Sequence, residues 1–217
     1  MRRSYNGNTL AFQARAAGSI PARRSNIGTW MDDIDVLTFV QPRDLWIYDK
    51  FILSKYLGYR CGPAGTVPDN KDHHIVRPCV NFRMMSRGAE IVVIDDESQV
   101  PDGFFWCELF SGRHLTFDYR YGQQVLAAEG FRDDPRRLDR FSRWRKVTDQ
   151  FQLPPALQEI ADRYEWLNVE VIGDNIIEAH LRYNDDFSNH DSEEIVPVWK
   201  ETFYESRCGD RVGFILK

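Results

Sequence analysis

The residues best suited to chemistry lie in a late segment of the chain that reads VEVIGDNIIEAHLRYN. Polar side chains alternate there with apolar ones, and alternate residues of a β-strand face the same side of a sheet. Glu178, His180 and Arg182 therefore share one face of a predicted strand. Gly173 predicts the turn of a β-hairpin, which can bring Glu170 beside them on the neighbouring strand.

Two carboxylates held close together favour a cation site, because their like charges repel one another unless a cation lies between them. Mg²⁺ is the expected cation, since it commonly binds one or two carboxylates together with the oxygens of a phosphate group. We therefore predict that the paired carboxylates of Glu170 and Glu178 hold a metal ion. The alternative is an ordinary amphipathic hairpin whose polar face is exposed to solvent.

Two segments have the spacing of helices that could support such a hairpin. In the segment DLWIYDKFILSKYLGY the following residues recur at helical spacing: Leu45, Tyr48, Ile52 and Tyr56. Gly58 is expected to end this first helix. A second helix is predicted for PPALQEIADRYEWL, because its two prolines suit a first helical turn.

Short apolar runs predict strands in the segments HHIVRPCVNF, AEIVVIDD, GQQVLAAEG and VGFILK. The longer segment PDGFFWCELFSGRHLTFDYRYG predicts two strands that pair across a turn at Ser111 and Gly112. Few helices alternate with these strands along the chain. The order of elements therefore predicts an α+β fold with mostly antiparallel sheets.

Composition excludes several other classes of protein. The 217 residues are 42% hydrophobic and 28% charged, which is typical of a packed domain. No apolar run is long enough to cross a bilayer or to form the core of a signal peptide. The four cysteines are scattered without CxxC spacing, which favours reduced thiols in a cytoplasm over a zinc site. Dinucleotide-binding, P-loop and GxSxG motifs are absent.

The first 30 residues differ from the rest of the chain. They contain five arginines and no acidic residue, whereas the remainder carries 23 basic and 33 acidic residues, a balance that disfavours general binding of nucleic acid. Such a leader is consistent with a mitochondrial presequence or a basic nucleic-acid-binding arm. Codons for residues 1–26 can also be chosen that form the four stems of a glycine tRNA in order. We therefore expect a non-native, disordered leader, with Met31 as the true start of a phage or metagenomic protein.

Three segments precede the hairpin in a particular order, and they read DKFILSKYLGYRCGPAGTVP, HHIVRPCVNFRMMSRGAE and FWCELFSGRHLTFDY. Together with the hairpin they resemble the ATP-grasp superfamily of carboxylate-amine ligases, over about residues 44–186. The resemblance implies two α+β subdomains, residues 31–105 and 106–217, that clasp a nucleotide between them. It also implies ATP and Mg²⁺ as cofactors.

The same resemblance implies which residues would contact the nucleotide. Lys50 would contact a phosphate, and Arg77 would take the place of a phosphate-binding lysine on its strand. Arg87 would add positive charge in the loop that follows, which is not rich in glycine. Glu108 would lie near the ribose.

Metal binding and catalysis are assigned by the resemblance to later positions. Glu170 and Glu178 would hold Mg²⁺, with His180 in the place of an asparagine. Arg113 would meet the substrate or a phosphate. Arg182, on the predicted face of the hairpin, and Arg77 are the other candidate catalytic residues.

The implied activity is Mg²⁺-ATP-dependent ligation. The carboxylate of a small molecule or peptide would be activated as an acyl phosphate and attacked by an amine or a similar nucleophile. The loop is poor in glycine, and only a short stub precedes Asp44 in place of an amino-terminal substrate domain; both features favour an alternative. In that alternative the chain is a degenerate, non-catalytic domain that binds a protein or nucleic acid. A role in nucleic-acid modification or phage structure is a third possibility.

Overall fold

The computed structural model describes residues 39–80, 88–187, 190–199 and 211–217. Within these residues the strands form two sheets, every strand pair is antiparallel and helices are few, so the predicted α+β class is confirmed. The predicted leader, Arg87 and Cys208 lie outside the described residues. None of the helices in the described part of the chain has the length and apolar character needed to span a membrane.

The smaller sheet has four strands in the order β1-β4-β2-β3. Its strands are β1 (Cys61–Pro63), β2 (His73–Pro78), β3 (Glu90–Val93) and β4 (Phe104–Glu108). Pro78 stands at the end of β2, a position where a strand tolerates proline. β2 is central and largely buried, so it is the strand of this sheet best placed to hold a side chain away from water.

The larger sheet has seven strands in the order β11-β10-β7-β6-β5-β8-β9. Its strands are β5 (His114–Arg120), β6 (Gln123–Phe131), β7 (Arg143–Lys146), β8 (Trp166–Ile172), β9 (Asn175–His180), β10 (Glu194–Trp199) and β11 (Arg211–Leu216). β8 and β9 form the predicted hairpin, and β9 lies at the end of this strand order. The sequence did not indicate β10, whose Pro197 is unusual within a strand.

The predicted pairing of β4 with β5 is wrong. β4 pairs with β1 and β2, whereas β5 pairs with β6 and β8 in the larger sheet. Gly112, between them, has φ +130°, and a Cβ there would lie only 2.8 Å from the Cα of Gly173. Because β4 and β5 belong to different sheets, the residues between them cross from one sheet to the other. The boundary expected between residues 105 and 106 falls inside β4, all of which pairs in the smaller sheet.

The first predicted helix is divided into two short pieces. A 3₁₀ helix spans Pro42–Tyr48, and the α-helix α1 spans Lys50–Tyr56. Asp49 separates them, because its carboxylate accepts hydrogen bonds from the N–H groups of Phe51 and Ile52 and so begins a new helix. Gly58, with φ +79°, follows the end of α1 as predicted.

Because of this break, the four residues at helical spacing do not form one buried face, and Tyr48 alone among them packs against the main core. Leu45, Ile52 and Tyr56 are exposed, whereas Ile47 and Leu53 are buried in the main core. A continuous helix would have aligned the first set on one side, but the restart at residue 50 changes which positions face inward.

The second predicted helix is present as α2 (Pro155–Arg163). Its Leu157, Ile160 and Ala161 are buried against apolar residues of the larger sheet. On the sheet, the residues of this core alternate along the strands: Leu115, Phe117 and Tyr119 on β5, and Leu167, Val169 and Val171 on β8. The alternate positions therefore point to the opposite face, which is buried and polar.

Candidate functional site

The β8–β9 hairpin places its two glutamates opposite one another. Glu170 and Glu178 are register partners on the two strands, with a bulge beside Glu170. Gly173 makes the turn with φ +62°, and a Cβ there would lie 2.7 Å from the carbonyl oxygen of Ser111. Only glycine suits this turn, because the left-handed conformation and the close backbone both disfavour a side chain. The predicted convergence of Glu170 and Glu178 on one face is confirmed by this register.

Lys50 reaches the same face from the start of α1. Its backbone N–H donates to the carbonyl oxygen of Cys79 at 2.8 Å, which anchors the helix beside the end of β2. Its Nζ lies 3.4 Å from Oε2 of Glu178, and the two side chains are 3% and 9% exposed. Lys50 is therefore one half of a buried ion pair.

His180 holds the other oxygen of the same carboxylate. Its Nε2 lies 2.5 Å from Oε1 of Glu178. Burial raises the pKa of Glu178, but the charges of Lys50, His180 and Arg77 outweigh burial and lower it below its usual range. Glu178 is therefore an ionised carboxylate in a buried setting. The alternative of a solvent-exposed polar face is wrong for Glu178 and His180, which are both buried.

Arg77 is the second buried cation near Glu178. It lies on β2, 7% exposed, with its guanidinium carbon 5.2 Å from the ring centre of Phe105. Burial lowers the pKa of Arg77, and the charges of Cys107, Glu178 and Glu170 oppose that shift. Its buried Nε has no hydrogen-bond partner among the residues that the structure describes. A buried donor of this kind costs free energy, so it calls for an anion or another acceptor.

Glu170 has different partners from those of Glu178. Its Oε2 lies 3.1 Å from Nε2 of His114 on β5. Burial lowers the pKa values of Lys50, Arg77 and Arg132, and the negative charge of Glu170 partly opposes that shift in all three. Glu170 thus interacts electrostatically with cations on both sides of its strand.

A buried polar network next to the glutamates was not predicted. The side-chain amide of Asn168 donates to Oγ1 of Thr116 and to Oδ1 of Asp118, both at 2.7 Å, and the backbone N–H of Asn184 donates to Oδ2 of Asp118 at 2.9 Å. Burial raises the pKa of Asp118 to about 6. The alternation of polar and apolar residues in RHLTFDYR and WLNVEV is the signal that could have revealed this network.

Three other predicted residues have contacts of their own. The guanidinium of Arg113 donates to Glu129 at 2.9 Å and to Asp149 at 2.7 Å. Glu108, at the end of β4, accepts hydrogen bonds from the backbone N–H and the Nε of Arg60. Arg182 follows β9, and its charge lowers the pKa of Asp118. Arg87 lies outside the described residues.

The metal prediction can be compared with the donors that the structure brings together. The described residues contain no group of three or more His, Cys, Asp or Glu side chains arranged to hold a metal ion. Glu170 faces His114, while Glu178 faces Lys50 and His180. The two glutamates are therefore neighbours in register but are held by different partners, and metal binding by their carboxylates stays a prediction.

Neither a protein-family model nor a curated protein matches the sequence. The structure is similar to a putative ATP-grasp superfamily protein from Archaeoglobus fulgidus, with 13% identity and a TM-score of 0.47 over 79% of this chain and 64% of that one. It is also similar to the ATP-grasp ligase PsnB complexed with a minimal precursor, with 12% identity and a TM-score of 0.45 over 68% and 56% of the two chains.

A third similar structure is D-alanine–D-alanine ligase from Bacillus anthracis, with 17% identity, a TM-score of 0.38 and coverage of 63% of this chain and 57% of that one. The chain thus spans 64% or less of the length of these three structures. Similarity at these identities and TM-scores assigns no activity to this chain.

Proposed function

We propose that this chain binds Mg²⁺-ATP at the Lys50–Arg77–Glu178 cluster and uses it to activate a carboxylate for ligation. The proposal rests on the resemblance of its ordered sequence segments to the ATP-grasp superfamily and on the geometry of the cluster. The observation that carries it is a pair of buried cations beside an ionised glutamate, one of them with an unsatisfied N–H. Burial of charged groups costs free energy and adds little to stability, so this cluster supports a role in binding.

The two cations suit the phosphates of a nucleotide. Lys50 presents a compact ammonium charge, whereas the planar guanidinium of Arg77 can donate two parallel hydrogen bonds to phosphate oxygens. A phosphate oxygen would satisfy the buried Nε of Arg77 and draw Lys50 away from Glu178. The negative charge that spreads over a transferring phosphoryl group would then be stabilised by both side chains.

Mg²⁺ fits the carboxylates of this face. Glu170 and Glu178 would hold it, with His180 as a weaker donor or as the partner that orients Glu178. When bound, the ion would neutralise charge on the phosphates. Release of Glu178 from Lys50 would free an oxygen for the ion, so phosphate and metal are expected to bind together.

The proposed reaction transfers the terminal phosphoryl group to a substrate carboxylate. A carboxylate oxygen forms a bond to phosphorus, ADP leaves, and an amine then attacks the acyl carbon and releases phosphate. Arg77 would stabilise the transferring charge. The other proposed roles are those of Arg182 and Arg113 toward the substrate, Glu108 toward the ribose and Arg87 toward phosphate. The substrate class is a small-molecule or peptide carboxylate, in a cytoplasmic setting.

Two measurements on the full chain test this function. Millimolar Mg²⁺-ATP is expected to raise the melting temperature, because a ligand that binds only the folded state stabilises it. Incubation with amino acids or peptides and hydroxylamine is then expected to yield ADP and hydroxamate in equal amounts, because hydroxylamine captures an acyl phosphate. A melting curve unmoved by Mg²⁺-ATP would refute nucleotide binding and with it the ligase.

The second candidate is a non-catalytic domain that binds a protein or nucleic acid. It is favoured by the closed Lys50–Glu178 pair, and by the lack of a three-ligand metal group within the described ranges. This candidate predicts no ADP with any carboxylate and no hydroxamate, whether or not nucleotide binds, together with a stable partner in pull-downs. Formation of hydroxamate would exclude it.

A further inference from the structure

We propose that His114 and Arg132 are positioning residues that orient Glu170 for the metal-nucleotide complex. This inference rests on the proposed function and extends it to two residues that neither the sequence motifs nor the family resemblance selects. It follows from a chain of contacts that begins at a backbone carbonyl and ends at the carboxylate of Glu170.

This series of contacts begins at the loop after β6. Nη2 of Arg132 donates to the carbonyl oxygen of Leu138 at 3.1 Å and also lies 3.3 Å from Nδ1 of His114. Nε2 of the same imidazole lies 3.1 Å from Oε2 of Glu170. His114 therefore joins a guanidinium on one side to a carboxylate on the other.

These contacts determine where the imidazole carries its proton. A guanidinium nitrogen can only donate, so Nδ1 of His114 must accept from Arg132. A neutral imidazole with an accepting Nδ1 carries its hydrogen on Nε2. His114 therefore donates from Nε2 to Glu170, and Arg132 selects the tautomer that makes this donation possible.

Aromatic residues hold both side chains in place. The guanidinium carbon of Arg132 lies 3.9 Å from the ring centre of Phe141, and the His114 ring makes edge contacts with Phe141 and Trp144. Gly130 leaves space for the rings of Phe141 and Trp144, because a Cβ there would lie 2.5 Å from the first and 2.8 Å from the second. The buried imidazole therefore has little freedom to turn away from Glu170.

The two glutamates are thus oriented by separate sets of donors. Lys50 and His180 hold Glu178, whereas the Arg132–His114 chain holds Glu170 from the opposite side of β8. Partners that orient a metal-ligating side chain change metal affinity about 10–100-fold when they are removed. Loss of His114 or Arg132 should therefore weaken the response of nucleotide binding to Mg²⁺ without removing either carboxylate.

The first test is the tautomer of His114 in the wild-type chain, measured by ¹H–¹⁵N correlation of the imidazole nitrogens. The ring can be assigned from its contacts with Phe141 and Trp144. A hydrogen on Nε2, with Nδ1 accepting from Arg132, is expected. A ring protonated on Nδ1, or one that exchanges between tautomers, would overturn the inference without the need for any variant.

The second test is the Mg²⁺ concentration that gives half-maximal binding of a non-hydrolysable ATP analogue. His114→Phe and Arg132→Met are expected to raise this concentration about 10–100-fold. Arg143→Met is the control, because Arg143 stacks 4.3 Å from Phe131 in a comparable aromatic contact on the same sheet. Unchanged midpoints in His114→Phe and Arg132→Met would overturn the positioning role alone. A wild-type chain that binds no Mg²⁺-nucleotide would instead overturn the proposed function together with this role.

Discussion

The two faces of strands β5, β8 and β9 are both largely buried, yet they differ in chemistry. One face is apolar and packs under α2, with Phe117 and Val169 at its centre. The other carries buried polar and ionisable groups, among them Asp118, Glu178 and His180. Apolar burial stabilises a fold in proportion to the area removed from water, whereas burial of charged groups costs free energy unless they are paired. The apolar face accounts for stability, whereas the buried charges of the polar face are what the proposed nucleotide binding would explain.

The largest expected effect on stability is that of breaking the ion pair on the polar face. Glu178→Leu should lower the free energy of unfolding by about 3–5 kcal/mol, because it leaves the buried Lys50 without its counter-charge. Urea denaturation near neutral pH measures this change. The Lys50→Met/Glu178→Leu double variant should recover most of it, since neither charge is then buried alone. A double variant as unstable as the single one would show that the pair is not the cause.

Truncation of a side chain on the apolar face should lower stability without changing the affinity for nucleotide. Leu157→Ala, under α2, should cost about 2–5 kcal/mol of unfolding free energy through lost burial and the cavity left behind. Its affinity for Mg²⁺-ATP, measured well below the melting temperature, should match that of the wild type. A large loss of affinity in this folded variant would contradict the division of roles between the two faces.

Asp118 should make stability depend on pH. Its folded pKa of about 6 lies above the ordinary value of 3.8, so the folded state holds a proton that the unfolded state releases. The stability contributed by this group is complete below pH 3.8 and is lost as the pH rises through about 6. The difference in unfolding free energy between wild type and Asp118→Asn should therefore shift by roughly 2–3 kcal/mol over that range. A constant difference would show that Asp118 titrates normally.

The smallest effect is expected for ion pairs on the outer surface. Arg120 and Glu165 are both about half exposed, with Nη2 of the arginine 3.0 Å from the carboxylate. Arg120→Ala should change the unfolding free energy by less than about 1 kcal/mol, because solvent screens such pairs. A change as large as that for Glu178→Leu would remove the contrast between buried and exposed pairs.

The sequence predicted the hairpin and the pairing of its two glutamates because the evidence for both is local. Glu170 and Glu178 are eight residues apart across a glycine turn, so alternation and the turn residue together predict their register. The same local pattern predicts α2. The class of fold follows from the order of such elements.

Features that depend on distant contacts were not predictable in this way. The pairing of β4 depends on its fit between β1 and β2, and the carbonyl oxygen of Cys79 anchors α1 from another part of the chain. The contact of Arg132 with His114 joins different strands through a loop. Patterns within one strand specify which face a side chain takes but give no information about its partner across the sheet.

The most direct test of the central claim is the effect of Arg77→Met on Mg²⁺-ATP affinity. The variant removes a buried Nε donor that the described residues leave unpaired, but it also removes a charge that favours the ionised form of Glu178, so affinity is measured well below its melting temperature. Its dissociation constant for Mg²⁺-ATP should rise by at least about tenfold, the equivalent of one charged hydrogen bond. Arg145→Met, at an exposed position on β7, should leave the dissociation constant unchanged. Wild-type affinity in Arg77→Met would contradict the claim that this buried face binds a nucleotide.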